Sequence, residues 1–391
     1  MLKMRSLYNV LRRSSMDIAL CMGINDYYEH GIARGVVRFA KEHEWNLSGY
    51  GWMFGRLNDI RGWDGDGIIT RIESEADADI FASLDKPVVD VAGAYIRGAF
   101  HQVNNDDFLT GKKAGAHLAE RGFSNFAYCG VENVGWSGKR FDGFREGTGA
   151  AQIPVFERSL EWWEQLDRSD SLNDWLTSLP LPGAVFACND TAGVKITSVC
   201  RSLGINVPEE LAILGVDNED ILCELADPSL SSVQLDCEEI GYRAAELLEG
   251  LLHRNRAVAA YTSEILVLPK GILERDSTRI FVSSDDLIQD AVNFIRTHAH
   301  RGLDVSGLAE HLNVSRRTLE TRFRRVLDTS VHDEIAAAKI SLAEKLLIST
   351  DNTVESIALD AGFNSLQRFH ASFKARNEVP PGEYRKRYKR G

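Results

Sequence analysis

Residues 315–327 read SRRTLETRFRRVL and place five arginines and one glutamate on a single predicted helix. The apolar residues of this helix recur at i, i+4 and i+7 and form a stripe for packing, made by Leu319, Phe323 and Val326. Ser315 is a favoured N-cap, and a short break at 313–314 separates this helix from a preceding one. Two helices joined this way, the second with a basic outer face, are typical of a helix-turn-helix that enters the DNA major groove.

The same arrangement recurs 50 residues later in TVESIALDAGFNSLQRFHASFKAR (353–376). A break at 362–364 is followed by a second N-cap, Ser365, and by an apolar stripe of Leu366, Phe369 and Phe373. Between the two units, residues 331–348 predict a continuous helix about 27 Å long. That length is near the roughly 34 Å between successive major grooves on one face of B-DNA, so the repeat predicts a protein that reads two grooves.

Positive charge is confined to this C-terminal part of the chain. The whole chain has a formal net charge of −12; residues 1–284 hold 28 Lys and Arg against 42 Asp and Glu, whereas residues 285–391 hold 17 against 15. A solvated helix face is the alternative explanation for the arginines. A basic face on an otherwise acidic chain favours contact with a polyanion and marks a domain boundary near residue 285.

The bulk composition excludes several classes of protein. With 391 residues, 44% hydrophobic and 26% charged, the chain is typical of a globular protein of more than one domain. The apolar run at 18–22 is too short for a signal peptide or a membrane span, so we expect a cytoplasmic protein with no membrane partner. Six scattered cysteines, without histidines at metal spacing, predict buried thiols and neither disulfide, metal nor cofactor.

Residues 16–275 alternate short apolar runs with amphipathic stretches. The runs rich in β-branched residues predict strands at 16–22, 66–70, 86–93, 125–131, 183–190 and 211–218. Nearly continuous apolar strands are covered on both faces, which predicts an α/β fold with parallel sheets, crossover helices and two lobes.

Polar residues follow several of these strands, where open α/β sheets bind their ligands. Asp26, Asp90, Asn189, Asp190 and Asp217 are therefore candidate ligand-binding residues, because short carboxylates and amides each bond several hydroxyls. The alternative is that they cap the helices that follow, since Asp and Asn are favoured N-caps.

The segment PGAVFACNDTAGVKITSVCRSLGINVPEELAILGVDNED (182–220), followed by PSLSSV (228–233), resembles the sugar-sensing core of the lac-repressor-type regulators. This resemblance covers residues 16–275 and implies two lobes that close on a monosaccharide, in a protein that pairs as a homodimer. It implies sugar contacts by Arg140, at the opening of an R-x-x-G-F helix, by Asn189 and Asp217, and more loosely by Asp90. Trp136 lies near the right loop, but we expect it in the core.

The string AGFNSLQRFHASFK (361–374), with PPGEYRKRY (380–388), resembles the second half of an AraC-type DNA-binding domain over residues 285–388. The matched base-reading positions are Arg317, Glu320 and Thr321 in the first recognition helix, and Leu366, Gln367, His370 and Ala371 in the second, with Arg316 and Arg368 adjacent. Arg324, Arg325 and Lys374 are expected to contact phosphates. The chain departs from the family pattern at Glu378 and Pro380, where we expect a slightly altered turn.

These observations predict four segments: an N-terminal extension (1–15), a periplasmic-binding-like sugar sensor (16–275), a linker (276–284) and an all-α domain with two helix-turn-helix motifs (285–391). The polar content of 274–286 predicts a semi-flexible tether. Lac-repressor-type proteins begin with a helix-turn-helix, but only 15 residues precede the first strand here, so DNA binding is expected at the other end.

The combination, with SLQRF (365–369) and GVDNE (215–219), resembles bacterial regulators of pentose catabolism. It implies a homodimer that binds double-stranded operator DNA, responds to D-xylose or a related pentose, and activates genes through RNA polymerase. Another monosaccharide, repression instead of activation, or a transport receptor remain the alternatives. An enzyme is not supported, because no nucleophile–base set and no phosphate-binding loop is recognisable.

Overall fold

The computed structural model describes residues 15–23, 27–50, 57–94, 100–164, 170–253 and 263–388. The chain divides into two compact units, the first made of Met1–Glu120 with Ser124–Arg279 and the second of Arg121–Phe123 with Ile280–Gly391. No helix in the described ranges is long and apolar enough to cross a bilayer.

The first unit contains two six-stranded sheets, each the centre of one lobe. In order across the sheet, the first consists of β11 (Glu264–Val267), β5 (His101–Asn105), β4 (Val88–Asp90), β3 (Gly67–Thr70), β1 (Asp17–Cys21) and β2 (Asn46–Tyr50). The second consists of β12 (Gly271–Leu273), β10 (Ser231–Gln234), β9 (Leu211–Val216), β8 (Gly183–Ala187), β6 (Phe126–Val131) and β7 (Val155–Arg158).

Helices connect these strands in a repeated strand–helix order. They are α1 (Tyr27–Glu42), α2 (Glu75–Ala82), α3 (Asp107–Ala119), α4 (Gly135–Thr148), α5 (Leu160–Glu164), α6 (Asp170–Ser178), α7 (Asp190–Leu203), α8 (Asp220–Leu225) and α9 (Cys237–His253), with 3₁₀ turns at Leu57–Gly62 and Asp276–Thr278.

The predicted two-lobed α/β fold is confirmed. All pairs of strands are parallel except β10 with β12, and β1, β3, β4, β6, β8 and β9 lie within the six predicted runs. Their side chains are almost wholly buried because helices cover both faces. The remaining strands were not predicted because they lie at or near sheet edges and are short or carry polar residues, as in HQVNN (101–105).

Helices α3 and α4 pack with their backbones in contact. A Cβ atom at Gly111 would lie 1.9 Å from the carbonyl oxygen of Arg140, and one at Gly143 would lie 1.9 Å from that of Phe108. Gly115 and Gly147, one turn further along each helix, make similarly close approaches. This glycine-lined crossing fixes the start of α3 against the middle of α4.

The second unit is helical in its described residues. Its helices are α10 (Asp286–His298), α11 (Val305–His311), α12 (Arg316–Leu327), α13 (Val331–Ser349), α14 (Val354–Asp360), α15 (Leu366–Asn377) and α16 (Pro381–Tyr388), with a 3₁₀ turn at Ala299–Arg301. The predicted continuous helix is confirmed as α13, whose 19 residues extend about 28 Å.

Helix α13 contributes to two separate apolar cores. Val331 and Ile335 belong to a core shared with α10, α11 and α12, whereas Ile340, Ala343 and Leu347 belong to one shared with α14 and α15. Each helix-turn-helix therefore has a core of its own, and one helix spans both.

The polar segment 274–286, predicted to be a semi-flexible tether, forms hydrogen bonds within each unit. Within the first unit, Ser277 donates to the carbonyl of Ile213 at 2.6 Å, and Thr278 donates to the hydroxyl of Ser231 at 2.7 Å. Within the second unit, the N–H of Phe281 donates to Asn293 at 2.7 Å, and Asp285 caps α10. Serine and threonine are common in loops, but here the hydroxyls of Ser277 and Thr278 bond groups of the first unit.

Candidate functional site

A cleft of about 180 Å³ lies between the two lobes of the first unit and is lined by residues of both. The first lobe contributes Tyr27, Tyr28, Arg71, Ala92, Asn104 and Asn105; the second, on which α3 packs, contributes Asp107, Trp136, Arg140, Leu160, Asn189, Thr191, Asp217 and Glu219. Most of these follow the carboxyl end of a strand, as expected for a ligand site in an open parallel sheet. Drug-sized ligands occupy pockets of roughly 300–1,000 Å³, so this volume favours a small ligand.

Arg140 and Asp107 form a buried ion pair at the floor of the cleft. The Nε of Arg140 donates to Oδ1 of Asp107 at 2.9 Å, and Nη1 donates to the carbonyl of Cys188 at 2.5 Å. Burial alone lowers the pKa of Arg140, but the nearby carboxylates of Asp107 and Asp217 outweigh it and raise the pKa, so the guanidinium stays charged. Arg140 lies in the middle of α4, not at its opening as the family pattern led us to expect.

Two buried amide oxygens in the cleft, Oδ1 of Asn104 and Oδ1 of Asn105, have no hydrogen-bond partner in the part of the chain that the structure describes. The orientation of Asn105 follows from its neighbours, because the Tyr28 hydroxyl donates to the carbonyl of Val91 at 3.1 Å and accepts from Nδ2 of Asn105 at 3.3 Å. Asn104 and Asn105 are 5% and 6% exposed. A buried acceptor left unpaired destabilises a protein, so both positions fit a ligand that brings hydroxyl donors.

The charges that line the cleft are nearly balanced. Arg71 and Arg140 face three carboxylates, Asp107, Asp217 and Glu219. An anionic ligand would meet repulsion from the carboxylates, whereas a neutral polyol matches a mixture of donors and acceptors.

Asn189 and Asp217, two of the predicted sugar contacts, line the cleft. Asn189 also caps α7, since its Oδ1 accepts from the N–H of Ala192 at 2.9 Å, so the helix-capping alternative holds together with the cleft position. Asp217 has a φ of +106° and Asn218 a φ of +54°. Such backbone conformations are unfavourable for residues other than glycine and are frequent at functional sites.

Asp90 and Asp190 lie behind the cleft and support its loops. Asp90 is fully buried and accepts from the N–H groups of Ile72 and Ala92 at 3.0 Å each and from Gln102 at 2.9 Å, which holds the ends of β3 and β4. Asp190 accepts from Ser232 at 2.6 Å and from the N–H of Glu219 at 2.8 Å. Burial raises the pKa of Asp190 to about 7. Asp26 lies outside the described residues.

Trp136 lines the cleft, and our expectation of core packing is wrong for it. The guanidinium of Arg140 lies 4.9 Å from the centre of its ring. An indole face at the wall of a polar cleft offers a surface on which the C–H face of a ring-shaped ligand can pack.

The sequence reasoning missed Asn104, Asn105 and Asp107, which all belong to the run NNDD (104–107). This run directly follows β5, and the same rule about strand ends applies to it. The strand was not recognised because Val103 is its only strongly apolar residue.

The second unit presents two exposed recognition helices. Ser315 caps α12 by accepting from the N–H of Thr318 at 3.0 Å, and Ser365 caps α15 by accepting from that of Arg368 at 3.4 Å. The predicted DNA-reading residues are exposed, apart from the half-buried Glu320; they are Arg316, Arg317, Thr321, Arg324 and Arg325 on α12, and Leu366, Gln367, Arg368, His370, Ala371 and Lys374 on α15.

Among the described residues, three ion pairs involve arginines of α12. The Nε of Arg316 donates to Glu320 at 2.8 Å. Asp285 bonds Arg322 at 2.7 Å and Arg325 at 3.4 Å, and these charges hold the pKa of Asp285 below its usual value even though burial by itself raises it. Arg325, a predicted phosphate contact, is thus also part of the packing of α10 on α12.

The turn at the departure from the family pattern is intact. Glu378 takes the left-handed conformation, with a φ of +62°, and α16 begins at Pro381. A non-glycine residue is therefore accommodated in the left-handed conformation at this turn.

A protein with a two-lobed ligand cleft in one unit and two helix-turn-helix motifs in the other is, by class, a ligand-responsive transcription regulator. Residues 116–278 match the periplasmic binding protein-like domain, and residues 308–387 match a helix-turn-helix domain. The chain is 31% identical to the xylose operon regulatory protein of Escherichia coli K12 over 94% of this chain and 96% of that protein, and 30% identical to that of Haemophilus influenzae over 94% and 97%. It also resembles the solved structure of a xylose-binding transcription activator, with a TM-score of 0.60, 29% identity, and coverage of 96% of this chain and 99% of that one.

The chain belongs to the family of the xylose operon regulatory proteins. This family consists of DNA-binding transcription regulators and not of enzymes. All six cysteines are buried, and the described residues hold no cluster of three or more potential metal ligands.

Proposed function

We propose that this protein binds D-xylose in the cleft between its two lobes and, as a cytoplasmic homodimer, activates transcription of pentose-catabolic genes from an operator. The observation that carries the proposal is that the likeness to the xylose operon regulatory proteins runs through both the sensor and the DNA-binding unit. The activating sign follows the description of the related solved structure as a transcription activator.

The chemistry of the cleft supports a small neutral polyol. Asn104 and Asn105 accept hydroxyl protons, Arg140 donates to ring or hydroxyl oxygens, and Asp217 and Glu219 accept from further hydroxyls. The sugar would pair the buried Oδ1 atoms of Asn104 and Asn105, which have no partner among the described residues, so its binding is favoured by removal of their desolvation penalty as well as by the new bonds.

The sugar specificity is tested by calorimetric titration of the full-length protein with D-xylose, L-arabinose, D-ribose and D-glucose. D-xylose is expected to bind tightest. If another sugar of this panel binds more tightly, the effector assignment is wrong and the class of regulator stands. If none binds, the sensor proposal fails.

The position of the site is tested with Arg140→Lys, which retains a positive charge but loses the fork of donors that reaches Asp107 and Cys188 together. Loss of hydrogen bonds from a charged group corresponds to about 1–3 kcal/mol, so sugar affinity is expected to fall about 5- to 150-fold. The matched control is Arg145→Lys on the same helix, because Arg145 is exposed and pairs with Asp142 in solvent. Equal sugar affinities of the two variants would place the site elsewhere.

The homodimer is tested by light scattering and the DNA proposal by footprinting. We expect two protomers, with a footprint made of two half-sites that each cover two successive major grooves. A monomer at micromolar concentration with a footprint shorter than two helical turns contradicts this assembly. Run-off transcription with purified RNA polymerase then reports the sign, and lower transcript levels in the presence of D-xylose contradict activation.

A further inference from the structure

The two recognition helices can be compared residue by residue. Both α12 and α15 have 12 residues and are preceded by a serine N-cap. Each is followed by a C-cap residue with a left-handed backbone, Asp328 after α12 and Glu378 after α15. Each helix has a fully buried phenylalanine at the same position, Phe323 in α12 and Phe373 in α15. A residue of α12 and the residue 50 positions later in α15 therefore occupy equivalent positions on the outer face.

The outer faces of the two helices differ in chemistry. Arg316, Arg317 and Thr321 on α12 correspond to Leu366, Gln367 and Ala371 on α15. The first set can donate hydrogen bonds at every position, and arginine pairs with O6 and N7 of guanine. The second set is neutral and, at two of its three positions, apolar.

Leu366 is the most informative of these differences. The apolar spacing assigned it to the packing stripe with Phe369 and Phe373, yet its side chain is 38% exposed while theirs are fully buried. It occupies the first position of α15, and the N-terminal residues of a recognition helix are the ones that contact base edges. In the major groove, the apolar feature at a base edge is the 5-methyl group of thymine.

We propose that α15 recognises thymine through contact of Leu366 with the 5-methyl group, whereas α12 reads guanine through its arginines. This inference rests on the proposed function of the second unit as an operator-binding domain. Each half-site then consists of two chemically different segments, one read by hydrogen bonds and one by an apolar contact, and this difference fixes the direction in which a protomer lies on the duplex.

The contact is tested by binding of the full-length protein to an operator selected from random DNA and located by footprinting. Each thymine of one half-site is replaced singly by deoxyuridine, which removes the methyl group and leaves the hydrogen-bonding edge unchanged. Loss of one buried methyl corresponds to about a fourfold loss of affinity. We expect this loss at one or more thymines for the native protein, and equal binding of thymine and uracil at those positions for Leu366→Ala.

Arg316→Ala serves as the matched control at the equivalent position of α12. It should retain the fourfold preference for thymine in the segment read by α15, and should lose sensitivity to 7-deazaguanine in the other segment. Because Leu366 is exposed, the melting temperature of Leu366→Ala should match that of the native protein, which separates a lost contact from a lost fold.

The outcomes distinguish this inference from the function on which it rests. If no sequence is selected and no footprint forms, the operator-binding function fails and the inference fails with it. If a footprint forms but the native protein binds thymine and uracil equally throughout, or if Leu366→Ala keeps the preference, the inference alone is wrong.

Discussion

Replacement of Asn105 by leucine should strengthen the fold and weaken the binding of sugar. Leucine has nearly the shape of asparagine but no polar atoms, so it removes the buried Oδ1 that has no partner among the described residues. An unsatisfied buried acceptor is worth about 1–3 kcal/mol. The substitution also removes a long hydrogen bond of 3.3 Å to the Tyr28 hydroxyl, which offsets part of this gain. We expect a net increase of about 1 kcal/mol in the free energy of unfolding.

The same substitution removes an acceptor that the sugar would pair. Sugar affinity should therefore fall by about 1–3 kcal/mol, or roughly 5- to 150-fold. The opposite signs of the two effects distinguish a ligand-binding group from a structural one, because loss of a structural hydrogen bond weakens both folding and function.

Denaturant unfolding without sugar and calorimetric titration with D-xylose measure the two effects. Asn293→Leu is the matched control, because Asn293 is satisfied on both sides, accepting from the N–H of Phe281 at 2.7 Å and donating to its carbonyl at 3.2 Å. It should lower stability and leave sugar affinity unchanged. A less stable Asn105→Leu protein, or one with native sugar affinity, refutes the reasoning about the unpaired acceptors.

Three further predictions follow from the structure. Because burial raises the pKa of Asp190 to about 7, the folded protein retains a proton that the unfolded chain releases above about pH 4. Stability should therefore fall as pH rises between about 4 and 7, and Asp190→Asn should flatten this slope in thermal unfolding; an unchanged slope assigns the dependence to other groups. Glu378→Gly should raise the free energy of unfolding by about 0.5–1 kcal/mol, because its φ of +62° is unfavourable for a side chain; Asp328→Gly, at +52°, should gain less, since aspartate tolerates this region better. Saturating sugar should tighten operator binding about 5- to 150-fold, as measured by fluorescence anisotropy, and operator DNA should tighten sugar binding by the same factor, as measured by calorimetry. Equal operator affinity with and without sugar contradicts the coupling.

The sequence determined the class of fold and the kind of regulator. Strands such as 211–216 and helices such as α13 and α15 were predicted from apolar periodicity and from capping residues. Both features depend only on residues that are close together in sequence. The helix-turn-helix repeat was recognisable for the same reason, because the core of each motif comes largely from its own helices and from helix α13, which both motifs share.

The tertiary structure decided which polar residues form the cleft. Asp90, Asn189 and Asp190 all lie at or just after the end of a strand. Asp90 and Asp190 bond loops behind the cleft, whereas Asn189 lines the cleft and also caps a helix. Arg140 meets Asp107 across 33 positions of sequence, because glycines bring the backbones of α3 and α4 together. Whether the Oδ1 atoms of Asn104 and Asn105 have a hydrogen-bond partner depends on which donors the fold places around them, and among the described residues no donor bonds either atom. Local patterns place a residue on an element, but satisfaction of its hydrogen bonds is a property of distant partners, and only the folded chain brings those together.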